Sequence, residues 1–167
     1  LFGKVFEKMK DTIRWGIVGA GAIAHKFAAA VKNVEGAEVT AVASRSMARA
    51  KEFADVHGIA STFEGYEEMA KSDVIDAVYI ASPNRLHYEQ TKLMLQNEKH
   101  VICEKPAGVY TKQVLEMNEA AEKSGKVFSM MYNQRTNPVY QKVRELVQSG
   151  ALGHIKRISW VITDWYR

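Results

Sequence analysis

The residues with the clearest chemical spacing are Gly19-Ala20-Gly21-Ala22-Ile23-Ala24, a G-x-G-x-x-A pattern directly after an apolar run that ends at Val18. The first glycine permits a tight turn, the second lets a pyrophosphate approach the backbone, and the small Ala24 lets a helix pack closely on a strand. Free N–H groups at the start of that helix would then face the anion. Methyltransferase loops usually carry an acidic residue just before the glycines, and here the stretch is Trp15-Gly16-Ile17-Val18. The pattern therefore reads as a dinucleotide phosphate loop. A second group, Ala43-Ser44-Arg45-Ser46, follows the next apolar run. An NAD site places Asp or Glu there to accept from both ribose hydroxyls. No acid is present. Arg45 could pair with a 2′-phosphate and stack on adenine, and Ser44 and Ser46 could donate to the phosphate. The expected cofactor is NADP, with NAD the second choice.

Two further groups close apolar runs: Ser82-Pro83-Asn84 with His87, and Glu104-Lys105-Pro106. In an open α/β sheet such strand ends bind ligands. A buried lysine beside a nicotinamide could hydrogen-bond a substrate hydroxyl, and burial with a cationic neighbour would lower its pKa toward proton transfer. Spacing alone separates neither Lys105 nor His87 from ordinary surface and helix-start residues. The chain has no Gly-x-Ser-x-Gly and no His-Glu-x-x-His, so serine-hydrolase and zincin chemistry have no support.

The elements that would carry these groups alternate. Short β-rich runs over 12–18, 38–43, 61–63, 77–81, 100–104 and 127–132 are separated by helical stretches over 22–34, 46–57, 66–71, 85–97 and 111–124. Ser46 is placed as an N-cap and Gly125 as a C-cap. A helix over 138–149 follows. Strands apolar on both faces and alternating with helices predict an α/β fold, a Rossmann-type doubly wound parallel sheet. The stretch 155–165 differs: Ile158, Trp160 and Ile162 alternate with Arg157, Ser159 and Thr163. That predicts a strand with one open face, the first strand of a second, α+β domain truncated here. The organisation expected is an N-terminal extension over 1–11, a dinucleotide-binding domain over 12–135, and a linking helix with the start of a second domain over 136–167.

Composition narrows the class. Of 167 residues, 47% are apolar and 25% charged, which argues against disorder and for a packed core. Lys and Arg number 23 against 19 Asp and Glu, a net charge of +4 without a basic run, so nucleic acid is not implied. The single cysteine, Cys103, forbids an internal disulfide and a cysteine zinc cluster, which makes a reducing cytoplasm the default compartment. The apolar stretch 15–24 is too short and too glycine-rich to span a bilayer. Leu1 to Asp11 mixes Phe2, Val5, Phe6 and Met9 with three lysines, the spacing of a short amphipathic helix or an expression remnant.

Taken in order, Val18 to Ala24, Asp76-Ala-Val-Tyr-Ile-Ala-Ser-Pro-Asn84 with His87, Glu104-Lys105-Pro106, Tyr132-Asn-Gln-Arg135 with Pro138, and Ser149-Gly-Ala-Leu-Gly-His-Ile155 resemble the glucose–fructose oxidoreductase / inositol dehydrogenase family over residues 12–165. The resemblance implies a pyridine-nucleotide oxidoreductase acting on sugars, polyols or related hydroxy compounds. Lys105 maps onto the catalytic lysine. Gly19, Gly21, Ala22 and Ile23 map onto the pyrophosphate loop, and Ser44 and Arg45 onto the ribose site. Ser82, Asn84 and His87 map onto the nicotinamide-side loop, with Glu104 in support. Asn133 and Arg135, and less securely Asp164 and Trp165, map onto the pocket lining. No metal is implied. Homo-oligomers are expected. The family's second domain, with an Asp-x-x-x-His pair that works with the lysine, has no counterpart here, so the chain reads as an amino-terminal part, by itself inactive and prone to associate through the Ile158–Trp160–Ile162 face. A redox-neutral glycosidase that holds NAD tightly and a non-catalytic dinucleotide-binding protein are the alternatives.

Overall fold

The computed structural model describes residues 12–161. The expectations for 1–11 and for Ile162, Asp164 and Trp165 fall outside them. The described chain divides after Met131 into two compact units, just before the Tyr132–Arg135 motif, whereas the sequence reading draws the boundary after it.

The first unit alternates strand and helix throughout: β1 (Ile13–Val18), α1 (Ala22–Val31), β2 (Ala37–Ser44), α2 (Met47–His57), β3 (Ser61–Glu64), α3 (Glu67–Lys71), β4 (Ala77–Ile80), α4 (His87–Gln96), β5 (His100–Cys103), α5 (Thr111–Ser124) and β6 (Phe128–Met130). All six strands are parallel, in the order β3-β2-β1-β4-β5-β6. This is the doubly wound sheet expected from the sequence. The winding reverses between β1 and β4, and ligands bind outside the carboxyl ends of strands at such a reversal.

Both faces of the sheet are covered, and the alternation of side chains shows how. Ile17, Val42 and Tyr79 point to one face and pack with Ala24 and Ala28 of α1 and Ala50, Phe53 and Ala54 of α2. Their neighbours Val18, Ala41, Ala43, Val78 and Ile80 point to the other, against Met69 and Ala70 of α3 and Met94 and Leu95 of α4. The central strand β4 is buried at every residue. Arg14 ties the start of β1 to the residue before β4: its Nε and Nη2 donate to the Asp76 carboxylate at 2.9 and 2.7 Å, and its backbone N–H donates to the same group at 3.0 Å. That pairing raises the Arg14 pKa, mainly through the side-chain hydrogen bond.

Several local expectations need correction. Helix α1 ends at Val31 rather than Val34. Residues 84–86 form a 3₁₀ turn before α4 instead of its first turn. Ser46 stands at the start of α2, but its side chain makes no capping hydrogen bond; the hydroxyl is spared and the helix opens on backbone geometry alone. Gly125 does close α5, at φ +66°, in the left-handed conformation glycine adopts without a Cβ clash.

The second unit holds a 3₁₀ turn, Asn133–Thr136, and α6 (Pro138–Gln148). Asn137 caps α6 by accepting from the Val139 N–H at 2.9 Å, and Pro138 occupies the first turn, where a missing N–H costs nothing. Tyr140 stacks on Trp160 with ring centroids 5.5 Å apart. The strand expected over 155–165 is not formed across its described part: residues 155–161 take no regular structure. Alternation sets which side chains share a face, but a strand exists only when its backbone groups find a neighbour to pair with, and none of the described strands pairs with this stretch.

Phe53 is 2% exposed and fills the space between α2, α1 and the sheet. Phe53→Ala is expected to destabilise the first unit by about 3–5 kcal/mol, read by thermal or denaturant unfolding.

Candidate functional site

At the carboxyl ends of β1, β2 and β4 lies a cleft of about 410 Å³. Its first wall is the loop after β1. Gly19 holds φ +99°, and a Cβ there would stand 2.9 Å from the Ala81 carbonyl oxygen and 3.0 Å from the Ser82 nitrogen. Only glycine fits. The Gly19 N–H donates to the Ala43 carbonyl at 2.9 Å, which fastens the loop across the strand ends. Gly21 is the opposite case. A Cβ on it would meet nothing within 4 Å, because it borders the open cleft. Helix α1 begins immediately after. The N–H groups of Ala24 and His25 fold back onto the Gly21 carbonyl, while those of Gly21, Ala22 and Ile23 find no acceptor among the described residues. Ala24 is fully buried against the sheet. Three amides without an acceptor at a helix N-terminus, of which Gly21 borders the cleft, are an arrangement that could receive an anion.

The second wall follows β2. Ser44 and Arg45 line the cleft, and so does Arg49, one turn later in α2, which the sequence reading does not single out. Both guanidinium groups are exposed and have no ion-pair partner among the described residues. Opposite them, the Gly65 N–H donates to the Ser44 carbonyl at 2.8 Å, and Glu67 lines the cleft with its carboxylate accepting from its neighbour's N–H, on Tyr66, at 3.0 Å.

The third wall is the loop after β4, with Ala81, Ser82 and Pro83, backed by Leu86 and Gln90. Ser82 lines this wall. His87 does not. It is fully buried, with its ring nitrogens 2.7 Å from the Pro106 carbonyl and 2.8 Å from the Ser82 carbonyl. Instead of facing the cleft, its ring braces the loop after β4 against the loop after β5. Asn84 sits exposed in the 3₁₀ turn and does not line the cleft.

Glu104 and Lys105 leave the end of β5. Glu104 is held by the buried Tyr79, whose hydroxyl donates to it at 2.6 Å, and it accepts from the Lys105 backbone N–H at 3.2 Å. Burial first, and then this carboxylate, raise the Tyr79 phenol far above its usual range, so it stays a donor. Lys105 is exposed, so the buried setting expected for it is not provided by the described residues. Burial pushes the Cys103 thiol up to about 12, which leaves it inert as a nucleophile. Asn133 and Arg135 belong to the second unit, where both are exposed and the Arg135 guanidinium lies 5.9 Å from the Tyr132 ring centre. Among the described residues no helix is long and apolar enough to cross a membrane, and no group of three or more His, Cys, Asp or Glu could hold a metal ion.

Comparison with known proteins agrees with this geometry. Residues 13–132 match the model of the oxidoreductase family with an NAD-binding Rossmann fold, GFO_IDH_MocA. A scyllo-inositol 2-dehydrogenase (NADP(+)) of Bacillus subtilis (strain 168) is 40% identical over 147 residues, 88% of this chain and 44% of that protein. A trans-1,2-dihydrobenzene-1,2-diol dehydrogenase of Xenopus laevis is 35% identical over 87% of this chain and 44% of its own length. Among solved structures, scyllo-inositol dehydrogenase from Lactobacillus casei with bound NAD(H) and scyllo-inositol superposes with a TM-score of 0.79 at 28% identity, over 85% of this chain and 42% of that one. A 3-ketoreductase from Actinomadura kijaniata in complex with TDP-benzene and NADP gives 0.78 at 31% identity, over 83% and 44%. The chain thus spans less than half the length of these relatives. With its glycine loop, reversed winding and open cleft in the positions that the family model covers, the chain belongs to the GFO_IDH_MocA oxidoreductase family and carries its NAD-binding Rossmann domain.

Proposed function

We propose that the chain is the cofactor-binding part of an NADP-preferring dehydrogenase that acts on the CH–OH group of a sugar, polyol or related hydroxy compound. The observation that carries this reading is the cleft itself: Gly21 on one wall, first of three amides at the start of α1 that find no acceptor among the described residues, two guanidinium groups on the next without an ion-pair partner among them, and no acid at the end of β2. Such a donor-rich cleft fits a dinucleotide with an extra phosphate on its ribose. The amides of Gly21, Ala22 and Ile23 would hold the pyrophosphate. Arg45, with Arg49 one turn away, would hold the 2′-phosphate, and Ser44 would assist.

A bound nicotinamide supplies a carbon that gives or takes a hydride. The residues of this chain handle the proton and the positioning. Lys105 Nζ would hydrogen-bond the substrate hydroxyl and hold or release its proton. Glu104 is oriented next to it by the Tyr79 hydroxyl. His87 joins the loops bearing Ser82 and Pro106, which fixes the spacing between the cleft and Lys105. The polyol and diol dehydrogenases among the relatives support this substrate class.

Gly21→Trp is expected to abolish NADP and NAD binding in a calorimetric titration while leaving the unfolding temperature near the parent's, because the ring would occupy the cleft and not the core. A variant that binds as the parent does would remove the site from this loop. Arg45→Ala and Arg49→Ala are each expected to weaken NADP by about 1–3 kcal/mol and to leave NAD nearly unchanged, the pattern of a lost charged hydrogen bond. Equal losses for both dinucleotides would reject the phosphate role. In the whole protein, Lys105→Ala is expected to lower kcat by roughly 10²-fold or more with little change in dinucleotide affinity. Near-parental turnover would rule Lys105 out.

A further inference from the structure

We propose that Gln90 is a cofactor-binding residue of this cleft, its side-chain N–H donating a hydrogen bond to an oxygen atom of the bound dinucleotide that NADP and NAD share. The inference rests on the dinucleotide reading above and extends it to a residue on a helix interior, outside the glycine loop and the strand ends.

Gln90 lies in α4, one turn after His87, and is 2% exposed. Burying a primary amide is costly unless its polar atoms are used. Half of this one is used: Gln90 Oε1 accepts from the Ser82 hydroxyl at 2.5 Å. The other half is not. The amide nitrogen has no hydrogen-bond partner among the described residues, and it is not sealed in the interior either, since it is absent from the enclosed polar atoms that lack partners. The open space next to Gln90 is the cleft, which it lines together with Ala81, Ser82 and Leu86.

Its placement is also fixed. Ser82 orients the amide from one side, and His87 anchors the preceding turn of α4 between the Ser82 and Pro106 carbonyls. An aliphatic side chain would fill the same volume without the desolvation cost. A buried, oriented and half-satisfied amide at the wall of a donor-rich cleft is the arrangement of a ligand contact. The rest of the cleft selects the ligand: it presents free amides and guanidinium groups, and its one carboxylate, Glu67, is engaged by the Tyr66 N–H. Such walls suit an oxygen-rich anion. The acceptor is a phosphate oxygen or a ribose hydroxyl of the dinucleotide, and a second variant distinguishes them.

The test is calorimetric titration of NADP and NAD into the chain and into Gln90→Leu and Gln90→Glu, with circular dichroism to show that each variant folds. Gln90→Leu is expected to weaken both dinucleotides by about ten-fold, the loss of one hydrogen bond. This differs from the Arg45→Ala pattern, which reaches NADP alone. Gln90→Glu is expected to bind more weakly than Gln90→Leu where the partner is a phosphate oxygen, and more tightly where it is a hydroxyl that can donate to the carboxylate. A folded Gln90→Leu with parental affinity for both dinucleotides overturns the proposal. The unmutated protein supplies a second measurement that does not depend on a variant's folding: the Gln90 side-chain amide pair in an ¹⁵N-correlated spectrum, assigned through its contacts with Ser82, is expected to shift on saturation with NADP, and a pair that stays in place overturns the proposal equally. A parent that binds neither dinucleotide overturns the functional reading and this inference together, whereas a binding parent beside an equally binding Gln90→Leu overturns this inference alone.

Discussion

The arrangement of this unit depends on how closely the turn after β1 approaches the end of β4. Between Gly19 and the Ala81–Ser82 peptide there is no room for a single methyl group. The backbone there needs φ +99°, a conformation that side chains disfavour. With both conditions met, the chain can cross the ends of the two central strands and enter α1 at once. The amides at the start of α1 are then left without an acceptor among the described residues, next to the Gly21 edge of the cleft, instead of being spent on a wider loop. A larger residue at position 19 would push the turn away from the sheet, and the cleft would lose its floor.

Around that contact, polar groups act as braces inside an apolar frame. His87 and Tyr79 are as buried as the leucines and isoleucines near them, yet each spends its polar atoms on a loop that carries a candidate functional residue. His87 links the Ser82 and Pro106 segments, and Tyr79 orients Glu104 beside Lys105. Tyr79 also stacks on Phe27, with ring centroids 4.0 Å apart, so the residue that orients Glu104 is itself held by the core under α1. Loops that would otherwise wander are thereby tied to the rigid sheet. A bound ligand then loses less freedom in organising them.

The electrostatics of the cleft follow from what stands at each strand end. Helix α1 has no acid in its first turn to compete for the free amides. Strand β2 ends at Ser44 and is followed by Arg45, with Arg49 a turn beyond. A charged hydrogen bond between guanidinium and phosphate is stronger and more directional than a neutral one, so under the proposed function these two arginines would bear on which dinucleotide is preferred more than on whether one binds. The comparisons agree with a family that uses both: relatives of this chain include an NADP(+) dehydrogenase and an enzyme solved with NAD(H).

The glycine spacing, the missing acid after β2 and the alternation of apolar runs with helical stretches are all local, and each was readable from neighbouring residues alone. They sufficed for the doubly wound sheet and for the glycine turn that leads from β1 into α1; Ser44, Arg45 and Ser82, singled out on the same local grounds, line the cleft. The strand order, β3-β2-β1-β4-β5-β6, was not readable, because pairing between strands far apart in sequence leaves no local trace. The same limit explains where individual side chains lie. His87 looked like a site residue because it follows the Ser82-Pro83-Asn84 turn, but the Pro106 carbonyl, brought up from the next loop, takes its ring into the interior. Arg49 and Gln90 carry no motif, and only the packing of α2 and α4 against the strand ends brings them to the cleft wall. The alternation of Ile158 and Trp160 was legible too, yet it specified only which side chains would share a face. Periodicity is a property of the chain, whereas contact, burial and strand pairing belong to two segments meeting, and that is what tertiary structure decides.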